Sequence, residues 1–204
     1  MKTFSVRARI ALGAVGASAV FAVPVIALGD SGAAETAAAQ GKVMTLRIAG
    51  GHATDPRDDG RPVVLVAAAL GVPTEVFRTA FSSVTPAAAG AEPDPAQVQR
   101  NKAALLAVLA PYGVTNERLD AVSNHYRYQG GAGELWAHQA ATARAVVRGG
   151  KVVSVKLLGG GAGYSSTPKV TVPGVPGAVV TAVVGYGTDL SRNGEVTTLK
   201  VSKR

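Results

Sequence analysis

The densest cluster of side chains able to do chemistry is His52, Asp55, Arg57, Asp58, Asp59 and Arg61. Three carboxylates and an imidazole on one short loop offer mostly oxygen ligands, which suits a hard cation such as calcium. His52, Asp55, Asp58 and Asp59 are therefore the candidate metal ligands, for a calcium-binding loop or for the centre of a metal-dependent hydrolase. The carboxylates lack the every-second-residue rhythm of an EF-hand loop, however, and Arg57 and Arg61 would repel a cation. The competing reading needs no cofactor: a salt-bridged turn whose acids sit favourably before a helix N-terminus.

A second group is Tyr126, Arg127, Tyr128 and Trp136, in a chain that holds only 5 Tyr, 4 Phe and 1 Trp. Flat rings beside a guanidinium can form a stacking platform for a glycan or a peptide, which makes these four the candidate ligand-binding residues. Alternatively the rings pack the seam between two parts of the fold, around a hinge at Gly130, Gly131 and Gly133. His125 and His138 each stand alone in sequence. No nucleophile elbow, zinc-binding helix or other catalytic spacing occurs. The glycines from Gly159 to Gly163 lead into Pro168 and a strand pattern, not a helix, so they do not match a phosphate-binding loop. The residues thus point away from an enzyme.

The elements that must position these groups are readable from periodicity. Lys42 to Ile48 alternates Val43, Thr45, Arg47 against Met44, Leu46, Ile48, a strand signal. Residues 61 to 128 read as four short helices. Pro62 opens the first and Gly71 with Pro73 stop it. Thr74 can cap the second, with Val76, Phe77, Ala80 and Phe81 on one face. A Pro/Ala/Gly loop from Thr85 to Pro93 follows. Asp94 caps the third, with Pro95 at its first position and Gln97 in a near capping box, and Pro111 and Gly113 end it. Thr115 caps the last, whose apolar stripe is Leu119, Val122 and Tyr126. From Ala141 the chain alternates to Arg148, and Gly149-Gly150 then turns it into KVVSVKLL, the signature of a tight hairpin.

The C-terminal part also repeats. Gly150 to Leu157 matches Gly194 to Val201, Arg144-Ala145-Val146-Val147 matches Thr181-Ala182-Val183-Val184, and Gly41 to Ile48 fits the same pattern. Between the copies stands GGGAGYSSTPKVTVP, residues 159–173. Here the chain resembles the glycine-rich β-repeats of bacterial and phage surface proteins, which run glycine, small residue, glycine, tyrosine, small polar residues, proline. That resemblance covers the C-terminal third and implies a scaffold, with Tyr164 folded onto the hairpin and Pro168 starting the next strand. HATDPRDDGRPVVLVAAALGV, PYGVTNERLDAVSNHYRY and GELW are in turn similar to an uncharacterised family of predicted secreted bacterial proteins, a resemblance that brings no activity with it.

The N-terminus bears on where these elements work. Lys2, Arg7 and Arg9 precede an uncharged run from Ile10 to Leu28, and a cut after Ala27-Leu28-Gly29 leaves small residues at the two positions a signal peptidase reads, so residues 1–29 read as a signal peptide. The run is diluted by Gly13, Gly16, Ser18 and Pro24, which disfavours its retention as a membrane anchor. Residues 30–40 read as a small-residue linker. Loss of the three basic residues lowers the formal charge from +8 to +5, a mildly basic chain without a Lys/Arg cluster of the kind that binds nucleic acid. No cysteine is present, so an exported chain must rely on a packed core instead of disulfides.

The expected protein is α+β. A small helical subdomain, with strand 42–49 inside a unit of residues 41–135, packs on an antiparallel sheet built from a C-terminal hairpin repeat within residues 136–204, which that strand joins. The expected role is a secreted or periplasmic, non-enzymatic binding or structural module of the cell envelope. Its partner is an envelope protein or glycan, with no nucleic acid and no cofactor unless the acidic loop takes calcium. Membrane contact is expected only if residues 10–28 remain as an anchor.

Overall fold

The computed structural model describes residues 41–85, 94–127 and 135–202. The expected signal peptide and linker, most of the Thr85–Pro93 loop, Tyr128 and the glycine hinge lie outside these. The described residues form four α-helices and two antiparallel sheets, an α+β fold.

The strand expected from residue 42 runs as β1 (Lys42–Thr45) and β2 (Arg47–Ala49), with Leu46 between them. A 3-10 turn at Pro56–Asp58 leads to α1 (Val63–Leu70), α2 (Thr74–Ser82), α3 (Pro95–Leu109) and α4 (Asn116–His125). Asp94 caps α3 by accepting from the Ala96 amide, and Thr115 caps α4 by accepting from that of Arg118. Three expected details differ. Pro62 precedes α1 instead of opening it, and Thr74 is itself helical, with Pro73 at the cap position. Gln97 completes no capping box, because its amide donates outward to the Thr85 carbonyl. Val63, Leu65, Phe77, Leu109, Leu119 and Val122 close a helical core that also holds Tyr126 and Trp136.

The remaining strands are β3 (Thr142–Arg148), β4 (Lys151–Gly159), β5 (Lys169–Thr171), β6 (Val180–Gly185) and β7 (Glu195–Val201). Gly149 and Gly150 join β3 to β4 with φ of 55° and 71°, the two positive values a two-residue hairpin turn of this hand requires. Both hairpins, β3–β4 and β6–β7, pair an alanine with an apolar residue (Ala145 with Val155, Ala182 with Leu199). Both also shift register after the following valine, between Val146 and Val147 and between Val183 and Val184.

The single expected sheet is instead two, ordered β1-β3-β4 and β2-β5-β6-β7. The N-terminal strand is shared: Thr45 pairs with Arg144 on one sheet, the Leu46 amide donates to Ala143 at the corner, and Arg47 pairs with Thr171 on the other. Alternation is the physical reason. Each strand has one apolar face, and two layers can cover each other where one layer would leave that face wet. Leu46, Ala143, Ala145, Val170, Val180, Ala182 and Val196 form this second core. On the far side β4 and β7 approach each other at one end, where the Val196 amide donates to Gly160, and part at the other around an apolar groove of about 660 Å³ lined by Val152, Val153, Val175, Val179 and Val201.

The helices dock on the end of this sandwich rather than across a sheet face. Asn193, in the loop between β6 and β7, donates to the Leu65 carbonyl at 2.7 Å and to the Tyr126 hydroxyl at 2.9 Å. Arg118 of α4 donates to the carbonyls of Ala69 and Thr188, and Leu190 packs on the helical core.

Candidate functional site

The acidic loop is divided among arginines. Asp55 caps the 3-10 turn and pairs with Arg57 at 2.7 Å; the Arg57 hydrogen bonds hold its carboxyl well below the ordinary carboxylate range. Asp58 is buried and takes a two-pronged grip from Arg78 of α2, at 2.7 and 2.9 Å, which raises the Arg78 pKa. Arg78 also pairs with Glu75. Asp59 adopts a left-handed φ of 48° at the exposed tip, beside Arg61, whose guanidinium lies over the Phe81 ring. The candidate ligands Asp55, Asp58 and Asp59 therefore each face an arginine, and His52 turns to other company. Among the described residues no group of three or more His, Cys, Asp or Glu is placed to hold a metal ion.

The aromatic candidates also come apart. Tyr126 is 3 % exposed and Trp136 2 % exposed, so neither ring offers a face to solvent. Both complete the helical core, and their polar atoms are spent on the seam. The Tyr126 hydroxyl accepts from Asn193, and the Trp136 indole donates to the Gly163 carbonyl at 2.8 Å. A shortage of large side chains explains this, since the helices need both rings to fill their core. The alternative that the rings pack the seam is thus the observed one for these two residues. Arg127 is exposed and donates to Asn124. Tyr128 lies outside the described residues.

What the structure assembles is a different cluster. His52, just after β2, stacks parallel on Tyr164 of the glycine-rich loop, with ring centroids 5.4 Å apart. Trp136 meets the His52 ring in a T-shaped arrangement, with centroids 5.8 Å apart. His138, which sequence leaves isolated, stands with its ring 4.7 Å from that of His52. The His52 pKa is lowered, first by burial and then by the charge of His138, with the Gly163 backbone acting in the opposite direction. Tyr164 is itself buried and accepts a hydrogen bond from the Ala141 amide at the head of β3. Gly163 sits at φ 80°, and a Cβ there would come within 2.7 Å of the Ala137 carbonyl oxygen, so only glycine fits where the Trp136, His138 and Tyr164 segments cross. Residues far apart in the chain meet here, and no local spacing signals it.

The outer faces of the sandwich form the other distinctive surface. Lys42, Arg47, Arg144, Arg148, Lys151, Lys156, Lys169 and Lys200 are all exposed, and among the described residues none has an ion-pair partner. Arg144 lies directly opposite Lys156, and Arg148 opposite Lys151. On the second sheet Lys169, Thr181 and Lys200 form one row across three strands. The acids of this half, Asp189 and Glu195, are occupied locally by Ser191 and Arg192. In the helical half, acids and bases balance among the described residues of 50–127.

Among the described residues no single helix is long and apolar enough to cross a membrane. Compared with models of protein families, with curated proteins and with solved structures, the chain finds no match.

Proposed function

We propose that this protein is an exported, non-enzymatic binding module of the cell envelope that holds a linear anionic polymer against the outer faces of its two sheets. The observation that carries this reading is the segregation of charge, with unpaired cations on the sandwich and a balanced helical half. Like charges directly opposite in an antiparallel sheet destabilise it by roughly 0.2–1 kcal/mol per pair. Arg144 with Lys156 and Arg148 with Lys151 bear that cost without an internal anion to offset it. A polymer of regularly spaced anions removes the repulsion on binding. The threonines interleaved with the cations, Thr45, Thr171 and Thr181, add hydroxyls that donate to acidic oxygens. The large exposed apolar groups on the strands are valines and a leucine, not aromatics, so recognition rests on charge rather than ring stacking. The basic N-terminus followed by an uncharged run supports export.

The test is retention on immobilised long-chain polyphosphate across a salt series. Wild type is retained at low ionic strength and released steeply as salt rises. Arg144→Glu, Lys156→Glu and Lys200→Glu together abolish retention while circular dichroism stays unchanged. Arg100→Glu with Arg127→Glu, on the helical half, leaves it intact. Equal loss in both sets, or no retention of wild type, refutes the reading.

A further inference from the structure

The ring nitrogens of the histidine pair can be assigned from their surroundings. The His138 Nδ1 lies 2.9 Å from the Trp136 carbonyl oxygen. A carbonyl only accepts, so Nδ1 donates to it, and the neutral tautomer compatible with that bond has its lone pair on Nε2. The His52 Nδ1 is buried and has no hydrogen-bond partner, while the Gly163 carbonyl acts on that ring. The His52 proton therefore belongs on Nε2, and Nδ1 keeps its lone pair. Two imidazoles thus stand 4.7 Å apart, with the His138 Nδ1 held by a backbone carbonyl and the buried His52 Nδ1 left without a partner. Metal-binding histidines have this arrangement, because the carbonyl fixes the tautomer and strengthens the donor nitrogen. Two imidazoles bound to one ion at about 2.0–2.1 Å per bond have ring centroids roughly 4.5–5.2 Å apart for bond angles from square to tetrahedral. The observed separation falls in that interval.

We propose that His52 and His138 form a two-imidazole site for a divalent transition-metal ion of the zinc, nickel or copper class, with the remaining positions taken by water or an external ligand. Calcium and magnesium do not fit, since they require oxygen donors. A leftover buried nitrogen lone pair otherwise costs the fold a hydrogen bond, and a metal ion satisfies it. His138 is exposed, which leaves the ion reachable from solvent. Binding would clamp the exit of β2 to the segment that enters β3, across the seam between helices and sandwich. This site is separate from the basic sheet faces and stands or falls independently of them.

Trp136 is the one tryptophan, and its ring lies 5.8 Å from that of His52, so its fluorescence reports the site. Copper(II), a strong quencher, is titrated into the full-length chain, with zinc(II) as competitor and calcium as control. Expected are saturable quenching at one equivalent, reversal by zinc and no response to calcium. His138→Gln, an exposed position, raises the midpoint by at least roughly tenfold, His52→Gln does the same, and His125→Gln leaves it unchanged. Quenching that persists with the wild-type midpoint in His138→Gln, that vanishes in His125→Gln, or that never saturates overturns the proposal.

Discussion

Individual side chains decide how the two halves of this molecule meet. Asn193, 1 % exposed, answers a helix carbonyl and a tyrosine hydroxyl across the junction. Replacing it with alanine leaves those buried groups unanswered, and Asn193→Ala is expected to lower unfolding free energy by about 1–3 kcal/mol in urea denaturation. Asp58 acts similarly within the helical half: Asp58→Ala strands the Arg78 guanidinium and is expected to cost about 2–4 kcal/mol. That loss is the same with calcium or with chelator if the carboxylate serves Arg78 alone, and a calcium-dependent loss would show instead that it serves an ion. His52 links stability to pH. Its folded pKa lies below 6.5, so the unfolded chain takes up the proton first as pH falls. The neutral, partly buried ring therefore contributes fully above 6.5, and that contribution is lost as pH drops through the folded value. Denaturation with chelator between about pH 7.5 and 5 should show wild type losing more stability than His52→Gln.

At the scale of elements, local chemistry and outcome agree closely. α1 ends at Gly71 and α3 just before Pro111 and Gly113, while α3 and α4 start at Asp94 and Thr115, whose side chains cap the first turn. The β3–β4 turn is the sharpest case, because both of its residues need positive φ. Gly149→Ala with Gly150→Ala is expected to destabilise by roughly 1–2 kcal/mol per site, read as a lower melting temperature. Placing Asn instead of Ala at the first position recovers part of it, since asparagine tolerates the left-handed region. The helices and hairpins were legible because capping, turn chemistry and alternation act within a few residues. The division of the N-terminal strand between two sheets was not. Its alternation is unbroken from Val43 to Ile48, and only the choice of partners, β3 before Leu46 and β5 after it, makes the corner.

The whole molecule is a sandwich with a helical cap on its end and a lopsided charge. Spread over two sheets, the cations repel one another at a distance that salt screens. Raising sodium chloride is therefore expected to raise the melting temperature, and the increase should shrink in a variant carrying Arg144→Gln and Lys156→Gln. A melting temperature that falls with salt in both would show that ion pairs, not repulsion, dominate the net electrostatics. The sequence showed no Lys/Arg cluster because the basic residues are spaced along different strands. Strand pairing sets Arg144 beside Lys156, and Lys169 in line with Lys200.

The amino-acid order by itself determined the α+β class, the four helices, the hairpins and the inward faces of the strands, because each follows from neighbours in the chain. Only the tertiary structure decided which polar and aromatic residues share a site. It turned the acidic loop toward Arg57 and Arg78, sank Tyr126 and Trp136 into the core, and set His52 beside His138. Those outcomes rest on contacts between segments remote in sequence, where burial and charge compete in three dimensions and no local pattern records the result.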